Sequence, residues 1–419
     1  MRSVVVPGVA IGRAFRLRVF GCGAFLGLHP RLAWGRAVGA LCLLGMGFLG
    51  GLDCARAATP PPEVKKVIFD QDFNGIIGGD ADPLVMLLQA PNVQVLGVTV
   101  VTGDGWLKQE TADALKLLED LHRTDVPVSM GAEFPLVQSP KNLVRLTHLY
   151  GGSRTDPFLG AYGEFSEPPD TLVAPEGGFA KTKAAPGPAA EFIIAQVHKY
   201  PHEVTLYCGG PLTNVALAIK LDPEVVALTK EIVFMGTSPE MQPKTVNVMY
   251  DPESAQIVLH AAWPKLTLIT VDVAEKLHRT VEMAAAIAKG GNPAEAKLYE
   301  ELVMKPYREK KPLQWFRMPD ELTAAYIIDP TIVTEMRRYY VDVDTMQGMS
   351  YGSSIYWDEV PKGYAGIPWP DKPEPKRQKP IPPMDARVAD VVWNFDATKL
   401  QAMFLKAMTT PMREADSKQ

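Results

Sequence analysis

The segment Val67 to Leu88, VIFDQDFNGIIGGDADPLVMLL, limits the folds open to this chain more than any other. A β-branched and aromatic run stops on two alternate aspartates, Asp70 and Asp72. A glycine loop then carries two more, Asp80 and Asp82, and Pro83 opens an apolar stretch of helical length. Strand, polar loop and helix make the first half of a βαβ unit, in which the ligand site lies beyond the carboxyl ends of parallel strands. Four carboxylates at one such end push one another's pKa upward unless something neutralises them. A hard cation, Ca²⁺ or Mg²⁺, does so with oxygen ligands alone. The plainer alternative is an acidic surface loop in which Asp82 caps a helix with Pro83 at its first position, sound helix-start chemistry by itself.

The same rhythm continues along the chain. Short apolar runs at Val67–Asp70, Val93–Val101, Val204–Cys208, Ile232–Met235 and Leu266–Val271 predict strands. Amphipathic stretches at Pro83–Leu88, Leu107–His122, Ala189–Lys199, Leu212–Lys220 and Pro252–His260 predict helices between them. The alternation gives an α/β fold, an open and mostly parallel sheet flanked by helices. Two stretches break it. Residues 139–188, rich in Gly, Pro and aromatics, read as a lid-like excursion over the sheet, and the proline-dense stretch 361–383 reads as an extended surface segment. A last strand, Arg387–Trp393, and a last helix, Ala397–Met408, return to the fold.

Residues 1–57 have a different character. They hold seven arginines, one aspartate, and no lysine or glutamate; Arg31 and Arg36 precede the uncharged run from Ala37 to Gly51, and Ala55-Arg56-Ala57 follows it. This is the pattern of a secretory signal peptide, and the run is shorter than the roughly 20 residues of a bilayer span. The mature domain is then 58–419, soluble and periplasmic or secreted. Cys22, Cys42 and Cys54 depart with the leader, which leaves Cys208 with no intrachain disulfide partner. Asp53 stands where a lipoprotein signal wants a small residue before Cys54. Taking the leader's charges from the whole-chain 43 basic and 48 acidic residues leaves 36 and 47, a net −11. That balance excludes nucleic acid as a partner, since phosphate binding calls for a basic patch. It leaves homo-oligomerisation open.

Four more segments join the aspartates: VTVVTGDG from Val98, CGGPLTN from Cys208, NVMYDPESA from Asn247 and DELTAAYIIDP from Asp320. With Met235-Gly236-Thr237, their order and spacing resemble the inosine–uridine-type nucleoside hydrolases over essentially all of the mature chain. The resemblance implies hydrolysis of an N-glycosidic bond, with Ca²⁺ as cofactor and a nucleoside or related riboside as the small-molecule partner. It implies that Asp72 is both a metal ligand and the base toward water, that Asp82, Asp320 and the backbone carbonyl of Thr213 are further ligands, and that Asn247 binds ribose hydroxyls. Asp70 would orient the loop. Six to eight oxygen ligands suit Ca²⁺, with water and sugar completing the set.

Several positions depart from the family pattern. Seven residues separate Asp72 from Asp80 where the family has three to five, so Ala81 falls where a ribose-binding Asp is counted and Asp80 becomes its substitute. Asp104 replaces an asparagine, Thr245 replaces an acidic residue, and Pro319 stands where many members carry the histidine that protonates the leaving base. His148 in the excursion, or Trp106 or Trp315 stacking on a base, would then assist departure; a surface histidine and core tryptophans are the plainer alternatives. Two other readings compete: a secreted nucleoside-binding protein without turnover, and a haloacid-dehalogenase-like phosphatase suggested by the strand followed by Asp-x-Asp.

Overall fold

The computed structural model describes residues 63–150, 160–164, 167–240, 244–274, 276–311, 318–358 and 387–414. The expected leader, the segment 361–383 and Trp315 lie outside these, as does part of the excursion. The described chain builds one nine-stranded sheet: β1 Lys65–Gln71, β2 Val93–Val100, β3 Val128–Met130, β4 Val204–Cys208, β5 Glu231–Thr237, β6 Leu266–Thr270, β7 Val333–Val343, β8 Ser354–Asp358 and β9 Arg387–Phe395. Its order is β3-β2-β1-β4-β5-β6-β9-β7-β8. All neighbours from β3 to β9 are parallel, and β7 runs antiparallel to both β9 and β8.

Both faces of the parallel part are buried, which is why its strands read as apolar runs. Alternate residues feed two cores. Val67, Phe69, Tyr207 and Val233 face one, where Phe69 stacks on Tyr207 at 4.3 Å between ring centres. Ile68, Leu206, Cys208, Ile232 and Phe234 face the other. Helices Asp82–Gln89, Pro319–Ile328 and Ala397–Thr409 cover the first face and helices Ala189–Lys199, Thr213–Leu221 and Pro252–His260 the second. The helix expected to reach His122 stops at Asp120, because His122 takes φ 56°, the left-handed conformation that ends helices.

Connections leave β1 toward β2 and β3 on one side, and the chain later returns through β4 on the other. The carboxyl end of β1 is therefore a topological switch point, the crevice where open α/β sheets place their ligands. Asp70 and Asp72 stand there. From the excursion, the backbone N–H of Ala161 donates to Gly103 O at 3.1 Å and that of Ala185 to Val128 O at 2.7 Å. Its described parts thus run from the rim of that crevice to the edge strand β3. Among the described residues no helix is long and apolar enough to cross a membrane.

Candidate active site

Asp70 is buried under the crevice and accepts hydrogen bonds from Thr99 Oγ1 at 2.7 Å and Asn214 Nδ2 at 2.8 Å. Asn214 also donates to Val100 O and accepts from Ala132 N, so one carboxylate ties together the ends of β1 and β2, the turn after β3, and the helix Thr213–Leu221. Burial pushes its pKa up to about 7.

Asp72, one residue past β1, turns into the crevice. Its Oδ2 accepts from Asp104 N at 3.0 Å and its Oδ1 from Gln71 Nε2 at 3.3 Å. A Cβ on Gly103 would meet Asp72 Oδ2 at 2.0 Å, and one on Gly210 would meet Oδ1 at 2.7 Å; glycine is the residue that fits at either place. Burial first, then the charges of Asp104, Asp80 and Asp320, push Asp72 well above the usual carboxylate range. Asp80 and Asp320 are raised in the same way, burial leading, with Asp104 next for Asp80 and Asp80 next for Asp320. Asp104 is lifted to about 7 by burial. Asp80 and Asp104 keep partial access to solvent, whereas Asp72 and Asp320 are buried.

Asp82 does not join this group. Its Oδ1 accepts from Gly78 N at 3.0 Å, and its Oδ2 takes the Tyr299 hydroxyl and Arg279 Nη1 at 3.3 Å. Arg279 is buried, bonds Glu321 with its other terminal nitrogen, and lies over the Phe404 ring at 5.6 Å. Asp82, the expected metal ligand, thus has a buried counter-charge in Arg279 and stands apart from the carboxylates at the crevice. Nor does it cap the helix, since Ala81 holds the N-cap position. The longer loop, with Gly75 and Gly78 at φ 99° and 110°, brings Asp80 to the crevice instead, its Oδ2 held by Asn74 N at 3.0 Å.

The other expected residues divide. Thr213 opens its helix and its hydroxyl donates to Asp251 Oδ2 at 2.7 Å. Asn247 Nδ2 donates to Gly209 O and Met235 O, which fixes its amide at the ends of β4 and β5. Trp106 is 3% exposed and packs with Phe134 and Tyr162 at 5.8 and 5.5 Å. It belongs to the roof rather than offering an open face to a base, a correction to the stacking role. His148 is exposed, because its helix, Pro140–Tyr150, buries Leu143, Leu146 and Thr147 instead.

Sequence reasoning missed three participants. Glu110 is fully buried, accepts from Gly105 N at 2.6 Å, and is pushed up by burial and by Asp72. Tyr250 reaches the turn at Gly160, where φ is 46° and a Cβ would meet the Tyr250 hydroxyl at 2.2 Å. Gln71 lies between Asp70 and Asp72, one residue past the expected strand and at the last position of β1. Glu110 falls in the first turn of a helix that begins after the Gly-Asp-Gly turn, which is the only signal it carried; Arg279 carried none.

The donor set fits a hard cation. All its side-chain donors are carboxylate oxygens, and Asp320 Oδ1 is buried with no hydrogen-bond partner. Among the described residues, the one set of three acidic, His or Cys groups whose ligand atoms all lie within 4.8 Å of one another is His198, Asp222 and Glu224 at the surface. The His198–Asp222 hydrogen bond of 2.6 Å accounts for that set. The crevice carboxylates are spread more widely, as unscreened like charges require.

Comparison with known proteins identifies the family and the fold. The family model described as inosine-uridine preferring nucleoside hydrolase matches residues 67–401. An uncharacterised protein of Schizosaccharomyces pombe is 30% identical over 70% of this chain and 90% of its own length. The inosine-uridine preferring nucleoside hydrolase of Leishmania major is 28% identical over 70% of this chain and 87% of its own. Among solved structures, a plant nucleoside hydrolase has a TM-score of 0.62 at 22% identity, covering 83% of this chain and 99% of that one. A purine-preferring ribonucleoside hydrolase from Gardnerella vaginalis has a TM-score of 0.60 at 22% identity, covering 82% and 98%.

Proposed function

Because the chain belongs to the inosine-uridine preferring nucleoside hydrolase family, we propose that it is an exported, calcium-dependent member that cleaves the N-glycosidic bond of a ribonucleoside or related riboside to give sugar and free base. The observation that carries the proposal is the convergence of Asp72, Asp80, Asp104 and Asp320 at the switch point, each raised by burial or by the others, with Asp320 Oδ1 unpartnered. In this reading Asp72, Asp80, Asp320 and the Thr213 carbonyl hold Ca²⁺, and Asp104 and Asn247 bind the sugar. When bound, the ion supplies positive charge toward water and sugar hydroxyls, lowering the pKa of the water. Asp72 accepts the proton of the attacking water on the oxygen not held by Asp104 N–H, a role that needs the neighbouring charges neutralised first. The oxocarbenium-like transition state develops positive charge, which the acidic crevice favours. Where the excursion is described, the Ala161 N–H ties it to Gly103 O beside Asp104.

The test is a nucleoside panel assayed with and without chelator, together with Asp80→Ala and Asp82→Ala. Loss of calcium binding in Asp80→Ala, with binding retained in a folded Asp82→Ala, is expected. The opposite result would restore Asp82 as the ligand. Pro319 favours a second reading, nucleoside binding without turnover; base release by any nucleoside in the panel rules it out. The family match leaves the phosphatase reading without support. For the leader, N-terminal sequencing of exported protein should start near Ala58, and material retaining Arg31 to Arg56 would refute export by cleavage.

A further inference from the structure

We infer that Glu110 is a positioning residue that holds the turn Gly103-Asp104-Gly105, keeping the Asp104 N–H on Asp72 and the Asp104 carboxylate in the crevice, an inference that rests on the hydrolase reading above. The turn has little stiffness of its own, since glycines flank Asp104 on both sides. Within it, Gly103 N–H donates to Gly105 O at 3.1 Å. The next two N–H groups go to different partners. Asp104 N–H donates to Asp72 Oδ2 at 3.0 Å, and Gly105 N–H donates to Glu110 Oε1 at 2.6 Å. A Cβ on Gly105 would meet Glu110 Cγ at 3.0 Å and Phe73 O at 3.2 Å, so the turn is packed between Glu110 and the main chain just past Asp72.

An acidic residue in the first turn of a helix ordinarily serves that helix, by meeting its free N–H groups or its dipole. Glu110 serves the turn instead. Helix Leu107–Asp120 has Trp106 at its N-cap, and the Leu107 N–H is met by Thr102 Oγ1 at 3.0 Å. The N–H that Glu110 accepts lies before the N-cap. A dipole partner also gains nothing from leaving water, whereas Glu110 is fully buried and its other oxygen has no partner among the described residues. The ties from Leu107 to Thr102 and from Gly105 to Glu110 fasten the chain beyond β2 to the start of the helix, with Asp104 between them. The two peptides that meet at the Asp104 Cα are held by Asp72 and by Glu110. Turning the second displaces the first and the carboxylate between them. Asp72 would then lose the bond that decides which of its oxygens faces the water.

The test uses the full mature chain in calcium chloride and follows base release from inosine and uridine. Glu110→Met keeps the length and removes the acceptor; Glu110→Gln keeps an acceptor at the same reach. In Glu110→Met kcat should fall roughly 10- to 100-fold, the scale of loss when reacting groups are misplaced by about 1 Å. KM should rise with it, because Asp104 binds the sugar in this reading, and Glu110→Gln should recover most of both. Gly105→Ala presses its Cβ on Glu110 and Phe73 O without removing a polar group; it should fall in the same direction, and it serves if Glu110→Met does not fold. Adding Glu110→Met to Asp104→Ala should raise KM no further than Asp104→Ala alone, since both act through one carboxylate. A purely structural Glu110 would lower the urea midpoint and leave kcat and KM of the folded protein at wild-type values. That result, a Glu110→Gln as impaired as Glu110→Met, or additive effects on KM would overturn the positioning role and leave the hydrolase reading intact. Absence of base release by the wild type would overturn both.

Discussion

Replacing Arg279 with methionine keeps most of the side chain's reach and removes the one charge shared by Asp82 and Glu321. All three residues are buried, with Arg279 Nη1 3.3 Å from Asp82 Oδ2 and Nη2 bonded to Glu321. Breaking a buried pair by deleting one partner typically costs about 3–5 kcal/mol, because the remaining charge is left uncompensated. Here two carboxylates lose the partner, and the packing over Phe404 changes as well. The loss should depend on pH in a fixed direction. Glu321 sits at about 8 in the folded chain, raised by burial even though Arg279 pulls it down, against 4.5 for the ordinary group. An acid raised in the folded state stays protonated there after the unfolded chain has released its proton, so stability falls as pH rises from about 4.5 toward the folded value. Without Arg279 that value climbs further and the decline continues above pH 8. Each extra unit is worth about 1.4 kcal/mol. Urea unfolding in chelator at pH 5, 7 and 9 reads this directly. The deficit of Arg279→Met should be smallest at pH 5, where Glu321 is protonated in both proteins, and largest at pH 9. A deficit below about 1 kcal/mol throughout, or one larger at pH 5 than at pH 9, would refute the account of Arg279 as the counter-charge of a buried acidic pair.

Three further outcomes follow from the same geometry. Gly103→Ala places a Cβ 2.0 Å from Asp72 Oδ2, so kcat should fall at least tenfold in a steady-state assay while the circular dichroism spectrum is unchanged; full activity would mean that Asp72 can move without consequence. Gly160→Ala combines φ 46° with a Cβ 2.4 Å from Gly103 O; it should loosen the excursion and raise KM for nucleosides, and faster proteolysis of the variant would report the loosening. With Pro319 where a proton donor is expected and His148 exposed, a nitrophenyl riboside should be cleaved far faster than inosine or uridine, since general acid catalysis is worth roughly 10²–10⁴-fold. His148→Ala should alter neither rate, and a selective loss on nucleosides would return His148 to the site.

The parallel strands were legible because burial on both faces turns β1, β2, β4, β5 and β6 into apolar runs. β7 was not, since VTEMRRYYVDV leaves Glu335 exposed and Arg337 at the surface in an antiparallel strand near the sheet edge. β3, at three residues, is too short to show a period. Within the site, Asp72 was readable from its place at a strand end, but the choice between Asp80 and Asp82 was not. Counting back from Leu87-Leu88 assumes that a longer loop keeps its register, whereas what Asp82 bonds depends on Arg279 and Tyr299, distant in sequence and part of no motif. The same holds for His148: helical spacing is visible in a sequence, but the face that packs depends on neighbours that are not.

β9 lies between β6 and β7 and is their only link in the sheet, parallel to one and antiparallel to the other. Of the described strands it is also the last to leave the ribosome. Until Arg387–Phe395 arrives, the hairpin of β7 and β8 has no route into the sheet, and the edge of β6 stands open with its backbone donors and acceptors unmatched. A chain stopped before Arg387 would still carry every residue of the crevice. It should nonetheless be insoluble, so a frameshift late in the coding sequence would be as damaging as the loss of Asp72.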